Sequence, residues 1–100
     1  MLRRDNLKNA ALYESYCKIE DDYEKKWKKK DFYSFILDKH NVFILSHPKP
    51  VGYLKARATK EEIEIISILT DKKFRKLGIG KSLLNKLLNI AIKKKFRIFF

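Results

Sequence analysis

The strongest constraint on the fold lies at residues 75–82, Arg75-Lys76-Leu77-Gly78-Ile79-Gly80-Lys81-Ser82. An apolar, β-branched run precedes it, Ile63 and Ile65 to Ile66, then Ile68 and Leu69. Leu83, Leu84, Leu87, Leu88 and Ala91 follow at helical spacing. The expected order is therefore strand, basic glycine turn, helix. A helix start carries backbone N–H groups without intrahelical partners, and its dipole favours negative charge. Glycine lets a ligand approach the backbone closely and permits positive φ. With Arg75, Lys76 and Lys81 adding full charge, the local chemistry is that of an anion site, with phosphate the natural occupant.

Elsewhere the periodicity predicts a first helix over residues 7–22, capped by Asp5 or Asn6, with Leu12, Tyr16, Ile19 and Tyr23 on one face. Glu20-Asp21-Asp22 reads as a solvated helix end, because consecutive helix residues point in different directions and make a poor metal site. Lys25-Lys26-Trp27-Lys28-Lys29-Lys30 combines base and aromatic character, the composition of a nucleic-acid contact. The favoured reading is a loop anchored by Trp27, with its lysines in solvent. Asp31 is expected to cap a short second helix carrying Phe32, Phe35 and Ile36.

Residues 42–45 and 51–57 read as a hairpin across the proline turn His47-Pro48-Lys49-Pro50. Residues 62–70 form the third strand of an antiparallel meander. Its alternation slips: Ile63 and Ile65 share one face, Ile66 and Ile68 the other, so either both faces are covered or a bulge lies near Ile65-Ile66-Ser67. Helix three is expected over residues 79–94, and a further strand starts at Arg97. The fold class is α+β, a mostly antiparallel sheet flanked by helices in the order α-α-β-β-β-α-β, within one domain.

The 100 residues carry 24 Lys plus Arg against 12 Asp plus Glu, a net charge of +12. That balance favours polyanionic neighbours, although biased Lys, Ile and Asn usage would produce it too. No apolar run is long enough to span a membrane, and no apolar stretch follows the basic start as a signal peptide requires. One cysteine, Cys17, allows no internal disulfide and fits a cytoplasmic location and a packing role. His40 and His47 are too few for a zinc set, so no metal is expected.

Gly80-Lys81-Ser82 has the tail of a phosphate-binding P-loop, but that motif needs glycine where Arg75 stands. A dinucleotide fingerprint needs glycine at position 83, where the chain has Leu83. The pattern Arg-x-x-Gly-x-Gly, here Arg75 to Gly80, resembles instead the acetyl-CoA signature of the GNAT N-acetyltransferases. Ile68-Leu69-Thr70-Asp71 before it, Phe74 just ahead of the arginine, and Lys81-Ser82-Leu83-Leu84 after it match as well. Within that family the chain looks most like the branch that acetylates protein N-termini, as the ribosomal-protein alanine acetyltransferase does. Trp27 stands where that branch has a tryptophan before its second helix.

The resemblance implies acetyl-CoA as cosubstrate and a primary amine as acceptor, such as the N-terminus of a ribosomal protein. It implies that Arg75 and the amides of Lys76, Leu77, Gly78, Ile79, Gly80 and Lys81, with Ser82, hold the CoA pyrophosphate. It also implies that Ile68, Leu69 and Thr70 pair with the pantetheine arm, and that the bulge helps splay two strands around the acetyl group. The base and acid of that branch fall beyond Phe100, so the chain reads as truncated at its C-terminus. Residues 1–6 barely supply the strand that the family places before helix one. The histone-acetylating branch keeps its base at the level of Glu64, which is the candidate catalytic residue here. A catalytically incomplete remnant, or a basic binding module with a weak nucleic-acid contact, is the alternative.

Overall fold

A computed structural model describes residues 7–22, 24–94 and 97–99. The elements run α1 (Leu7–Ile19), α2 (Lys29–Leu37), β1 (Asn41–Leu45), β2 (Gly52–Ala58), β3 (Glu62–Thr70), α3 (Ile79–Lys94) and β4 (Arg97–Phe99). The sheet order is β1-β2-β3-β4. The first three strands are antiparallel neighbours, and β4 joins β3 in parallel over Glu62–Glu64 alone. This is the expected architecture.

Strand alternation sorts side chains to two faces with different chemistry. Leu54 and Ala56 of β2 and Ile63 of β3 pack with Leu83, Leu87 and Ala91 of α3 in an aliphatic core. Tyr53 of β2 faces the other way, into an aromatic core with Tyr16 and Ile19 of α1 and Phe32 and Tyr33 of α2. Most rings there meet edge-on or tilted, with Phe32 and Phe43 centroids 5.1 Å apart and those of Tyr16 and Tyr53 5.3 Å apart, while Phe43 and Tyr53 stack at 5.8 Å, geometries that aromatic quadrupoles prefer.

The slip in β3 is a bulge. Lys55 pairs with Ser67 and Ala56 with Ile65, which leaves Ile66 as the extra residue. One inserted residue inverts the parity of everything after it. Ile63 and Ile65 therefore pack toward α3, whereas Leu69, also an odd position, joins the aromatic core. Ile68 pairs with Leu54, which puts it on the α3 side with Ile63 and Ile65, not opposite them as simple alternation suggests.

Four further expectations are corrected. Helix α1 stops at Ile19 rather than residue 22. Glu20 is not a solvated helix end; it is 8% exposed and bonded to the Tyr53 hydroxyl and the Asp22 amide. Helix α2 starts two residues before Asp31, with Lys28 at its N-cap making no side-chain bond, so Asp31 sits in the first turn, where its charge complements the dipole. On α3, Leu88 lies outside the buried stripe at 40% exposed. The proposed caps Asp5 and Asn6, and Tyr23 of the first helical face, lie outside the described residues.

Gly52 fixes how α3 sits on the sheet. A Cβ there would lie 2.6 Å from Ile79 Cγ2, 3.3 Å from Leu83 Cδ1 and 3.3 Å from the Leu69 carbonyl oxygen. The first turn of α3 thus rests directly on the β2 backbone. Ser46 holds the approach to Gly52, its hydroxyl accepting from the Val51 and Gly52 amides at 3.0 Å each. Gly52→Val overfills this contact and should lower unfolding stability by about 1–3 kcal/mol, read as a lower denaturation midpoint in urea. An unchanged midpoint would show that α3 is not seated here.

Candidate active site

The segment from β3 into α3 is shaped by backbone and short polar contacts. The Asp71 amide donates to the Val51 carbonyl at 2.8 Å, tying the end of β3 to the hairpin. The Asp71 carboxylate accepts the Lys73 amide at 2.9 Å and its carbonyl accepts the Phe74 amide at 2.9 Å, closing a single 3-10 turn, Lys72–Phe74. Arg75 returns to extended backbone, and its Nε donates to the Thr70 carbonyl at 3.3 Å. Lys76 and Gly78 then take left-handed φ values of 67° and 78°. For Lys76 that conformation costs about 1–2 kcal/mol, so the turn holds a shape that its own sequence does not prefer.

Left-handed residues in a turn direct successive N–H groups to one side and make an anion-binding concavity. Helix α3 continues it. The Ser82 amide is bonded to the Gly78 carbonyl at 3.0 Å, so Ile79, Gly80 and Lys81 present the unpartnered amides of a first turn. Ser82 has its amide bonded and only its side chain exposed. Lys72, Lys73, Arg75, Lys76 and Lys81 are exposed around it.

The two glycines leave room for a ligand. A Cβ at either Gly78 or Gly80 would meet no atom within 4 Å. Gly78 is explained by its positive φ. Gly80 has no positive φ and no close neighbour, yet glycine inside a helix costs about 1 kcal/mol relative to alanine. The open approach to its amide is what glycine supplies here, and a pyrophosphate group fits it.

Beside the turn, β3 has an edge that is unpaired among the described residues. Strand β4 pairs it only over Glu62–Glu64, and Ile66 and Ile68 stand 45% and 42% exposed beyond that. Such an edge can take an extended, partly apolar chain as an added strand. Ile68, Leu69 and Thr70 lie on it, leading directly into the turn.

The Acetyltransferase (GNAT) family model matches residues 3–100. The chain belongs to the GNAT acetyltransferase family. No curated protein matches it in sequence. A GNAT acetyltransferase from Staphylococcus aureus superposes with TM-score 0.73 at 17% identity, over 93% of this chain and 78% of that one. An aminoglycoside acetyltransferase from an uncultured soil sample, in complex with sisomicin, gives 0.69 at 19%, over 99% and 72%. The ribosomal-protein-S18-alanine N-acetyltransferase of Escherichia coli gives 0.67 at 16%; 89% of this chain is covered and it spans 57% of that protein. At these identities the likeness is one of fold.

In this GNAT chain Glu64 is exposed on β3, across from Arg57 on β2 and beside Phe99 on β4. It lies before the bulge, away from the turn. Trp27 is half-buried and anchored in the aromatic core. Tyr13 donates to its carbonyl at 2.9 Å, and its amide donates to the Tyr16 hydroxyl at 2.8 Å. Lys25 and Lys28 are exposed as the anchored-loop reading expected, Lys26 is half-buried, and Lys29 and Lys30, expected in the loop, are exposed but open helix α2. Cys17 packs against the same core. Between the end of α1 and the end of β3 lies a cavity of about 480 Å³, lined by Glu20, Asp21, Asp22, Leu69, Thr70 and Arg75 among others.

Sequence reasoning missed Lys55. The alternation of β2 puts it among the aromatic rings, 4% exposed, with Nζ 3.5 Å from the Trp27 ring centroid, 5.2 Å from that of Tyr16 and 5.4 Å from that of Tyr53. The signal was present: a lysine two residues from Tyr53, and so on the same strand face, in a strand with both faces covered. Burial pushes its pKa down to about 8, against the opposing pull of the Glu20 carboxylate. Burial likewise holds the Tyr53 and Tyr13 hydroxyls up at about 12.

These shifts set the alkaline stability. Between pH 8 and 10.5 the unfolded chain keeps a proton at Lys55 that the folded chain has released, so stability rises with pH there. Above about pH 10 unfolded tyrosines ionise while folded Tyr13 and Tyr53 do not, and stability falls again. Denaturant titrations should therefore show a gain of about 2 kcal/mol from pH 7.5 to a maximum near pH 10. Lys55→Met should raise the pH 7.5 value and abolish that gain; a rise that survives the substitution contradicts the assignment.

Proposed function

We propose that this chain forms the acetyl-CoA-binding part of an N-acetyltransferase whose acceptor is a primary amine. The observation that carries the reading is the open amide cradle from Lys76 to Lys81, continuous with the β3 edge. Acetyl-CoA supplies the activated acyl thioester. The turn amides and Arg75, Lys76 and Lys81 hold the pyrophosphate, with the Ser82 hydroxyl at its border. The backbone of Ile68, Leu69 and Thr70 aligns the pantetheine arm, and the bulge at Ile66 opens the strand where the thioester lies. Glu64 is the candidate base on that strand.

The cavity beside Thr70 is where the amine enters in this reading. Glu20, Asp21 and Asp22 line it together with Lys25, Lys72 and Arg75, so its formal charges balance and the carboxylates on the α1 side are the ones available to an incoming ammonium. The finer proposal is a protein N-terminus, as in the Escherichia coli relative whose acceptor is the alanine of ribosomal protein S18. An aminoglycoside is the competing acceptor.

Calorimetry with acetyl-CoA should show binding in one-to-one ratio. Gly80→Glu places a carboxylate at the cradle from a Cβ position with no atom within 4 Å, so affinity should drop about tenfold or more while the thermal midpoint stays put. Binding indifferent to that change would refute the assignment. Assays pairing an alanine-first peptide with sisomicin decide the acceptor: acetylation of the peptide alone supports the finer reading, and of sisomicin alone replaces it.

A further inference from the structure

We propose that the basic depression at the far end of α3 is a docking site for an acidic peptide segment carrying an aliphatic anchor, separate from the glycine turn. The inference does not depend on the acetyl-CoA reading.

The depression, of about 570 Å³, lies where the turn before β1, the turn between β2 and β3 and the end of α3 meet. That volume is within the range of ordinary ligand pockets. The glycine turn adjoins the opposite ends of β3 and α3. The 16 residues of α3 set the two sites about 24 Å apart.

Its floor is aliphatic: Ile63 is buried, and Val42, Ala58 and Ile90 are half-buried. Its rim is basic, with Lys39, Arg57, Lys60 and Lys94 all exposed and His40 beside them. Among the described residues no carboxylate lines it, and none of those four cations has an ion pair. The neighbouring acids are placed elsewhere. Asp38 accepts the His40 amide at 2.9 Å and lies 3.3 Å from His40 Nδ1. Glu61 and Glu62 line a separate depression. Glu64 stands opposite Arg57 in the sheet but outside the lining.

Part of this charge serves the fold. Helices α2 and α3 both end here, at Leu37 and Lys94. Each helix end carries about half a negative charge, which Lys39 and Lys94 offset. With both half-charges and Asp38 deducted, the four cations still leave a surplus of about two positive charges. Arg57 on β2 and Lys60 in the following turn stand at no helix end, so no dipole accounts for them.

Floor and rim together select the occupant. A nucleic acid would use the rim, but single strands also stack on aromatic rings, and the described lining contains none. A second copy of the chain brings its own net charge of +12 and is repelled. A peptide with Asp or Glu around a leucine matches both parts. Its leucine gains by burial against the floor, and its carboxylates meet the unpaired cations.

The test is fluorescence anisotropy of a labelled synthetic peptide of alternating glutamate and leucine, titrated with the full chain. Saturable one-to-one binding is expected, weakening as salt rises. Serine in place of leucine in the peptide should weaken it about tenfold or more. Lys39→Glu with Lys60→Glu in the protein should do the same. Lys28→Glu with Lys30→Glu, an equal charge change on exposed residues elsewhere, should alter it by less than about twofold. In the 15N-labelled parent chain the peptide should shift amides in residues 39–42, 57–63 and 90–94, a readout that needs no variant to fold. Equal losses from both pairs of substitutions, or equal binding of polyglutamate, would mean diffuse charge attraction and overturn the proposal. Displacement of the peptide by CoA, with shifts centred on residues 76–82, would overturn it too by placing the peptide at the glycine turn. Tighter binding of a single-stranded RNA oligomer at the same residues would assign the surface to nucleic acid instead.

Discussion

The site depends on one packing contact, the first turn of α3 resting on the β2 backbone at Gly52. With Ile79 Cγ2 and Leu83 Cδ1 both against that glycine, the helix start cannot slide or lift without opening the aliphatic core. Leu83, Leu87 and Ala91 then lock the helix against Leu54, Ala56 and Ile63. Close-packed interiors resist such displacement because a small gap forfeits much of the dispersion attraction. The strained backbone at Lys76 is held between two fixed points, the end of β3 at Thr70 and the seated helix at Ile79. The turn is therefore fixed in shape without a ligand, and in the proposed reading that preorganisation lowers the entropic cost of binding.

The bulge in β3 does a second job. It inverts strand parity, so one strand serves the aliphatic core with Ile63 and the aromatic core with Leu69. It also brings Ser67 opposite Lys55 and leaves Ile66 at the surface. The aromatic face consequently holds a buried lysine and a buried glutamate, an arrangement that hydrophobic substitution would improve for stability alone.

Much of this was legible in the sequence. The bounds of β3 and α3 fell where expected because the apolar run is long and the glycine turn punctuates it sharply. The turn's position between strand and helix was readable too, since glycine spacing is a local property. What was not legible is tertiary. The Glu20 carboxylate is buried because Tyr53, 33 positions away, offers a hydroxyl. Lys55 is buried because three rings from α1, the following loop and β2 surround it. Nothing local marks Gly52; its importance comes from α3 resting on it. Asp31 failed as a cap because helix α2 begins two residues earlier, where packing of Phe32 and Tyr33 outweighs capping preference.

The central claim is that the amides from Lys76 to Lys81, with the adjoining edge of β3, form one binding surface for acetyl-CoA. Titration of the 15N-labelled chain with CoA, followed amide by amide, tests it most directly. The expected result is a set of saturating shifts confined to residues 66–70 and 76–82, largest at Gly78 and Gly80. Shifts centred instead on the basic depression around Lys39, Arg57, Lys60 and Lys94, with the glycine turn unmoved, would contradict it.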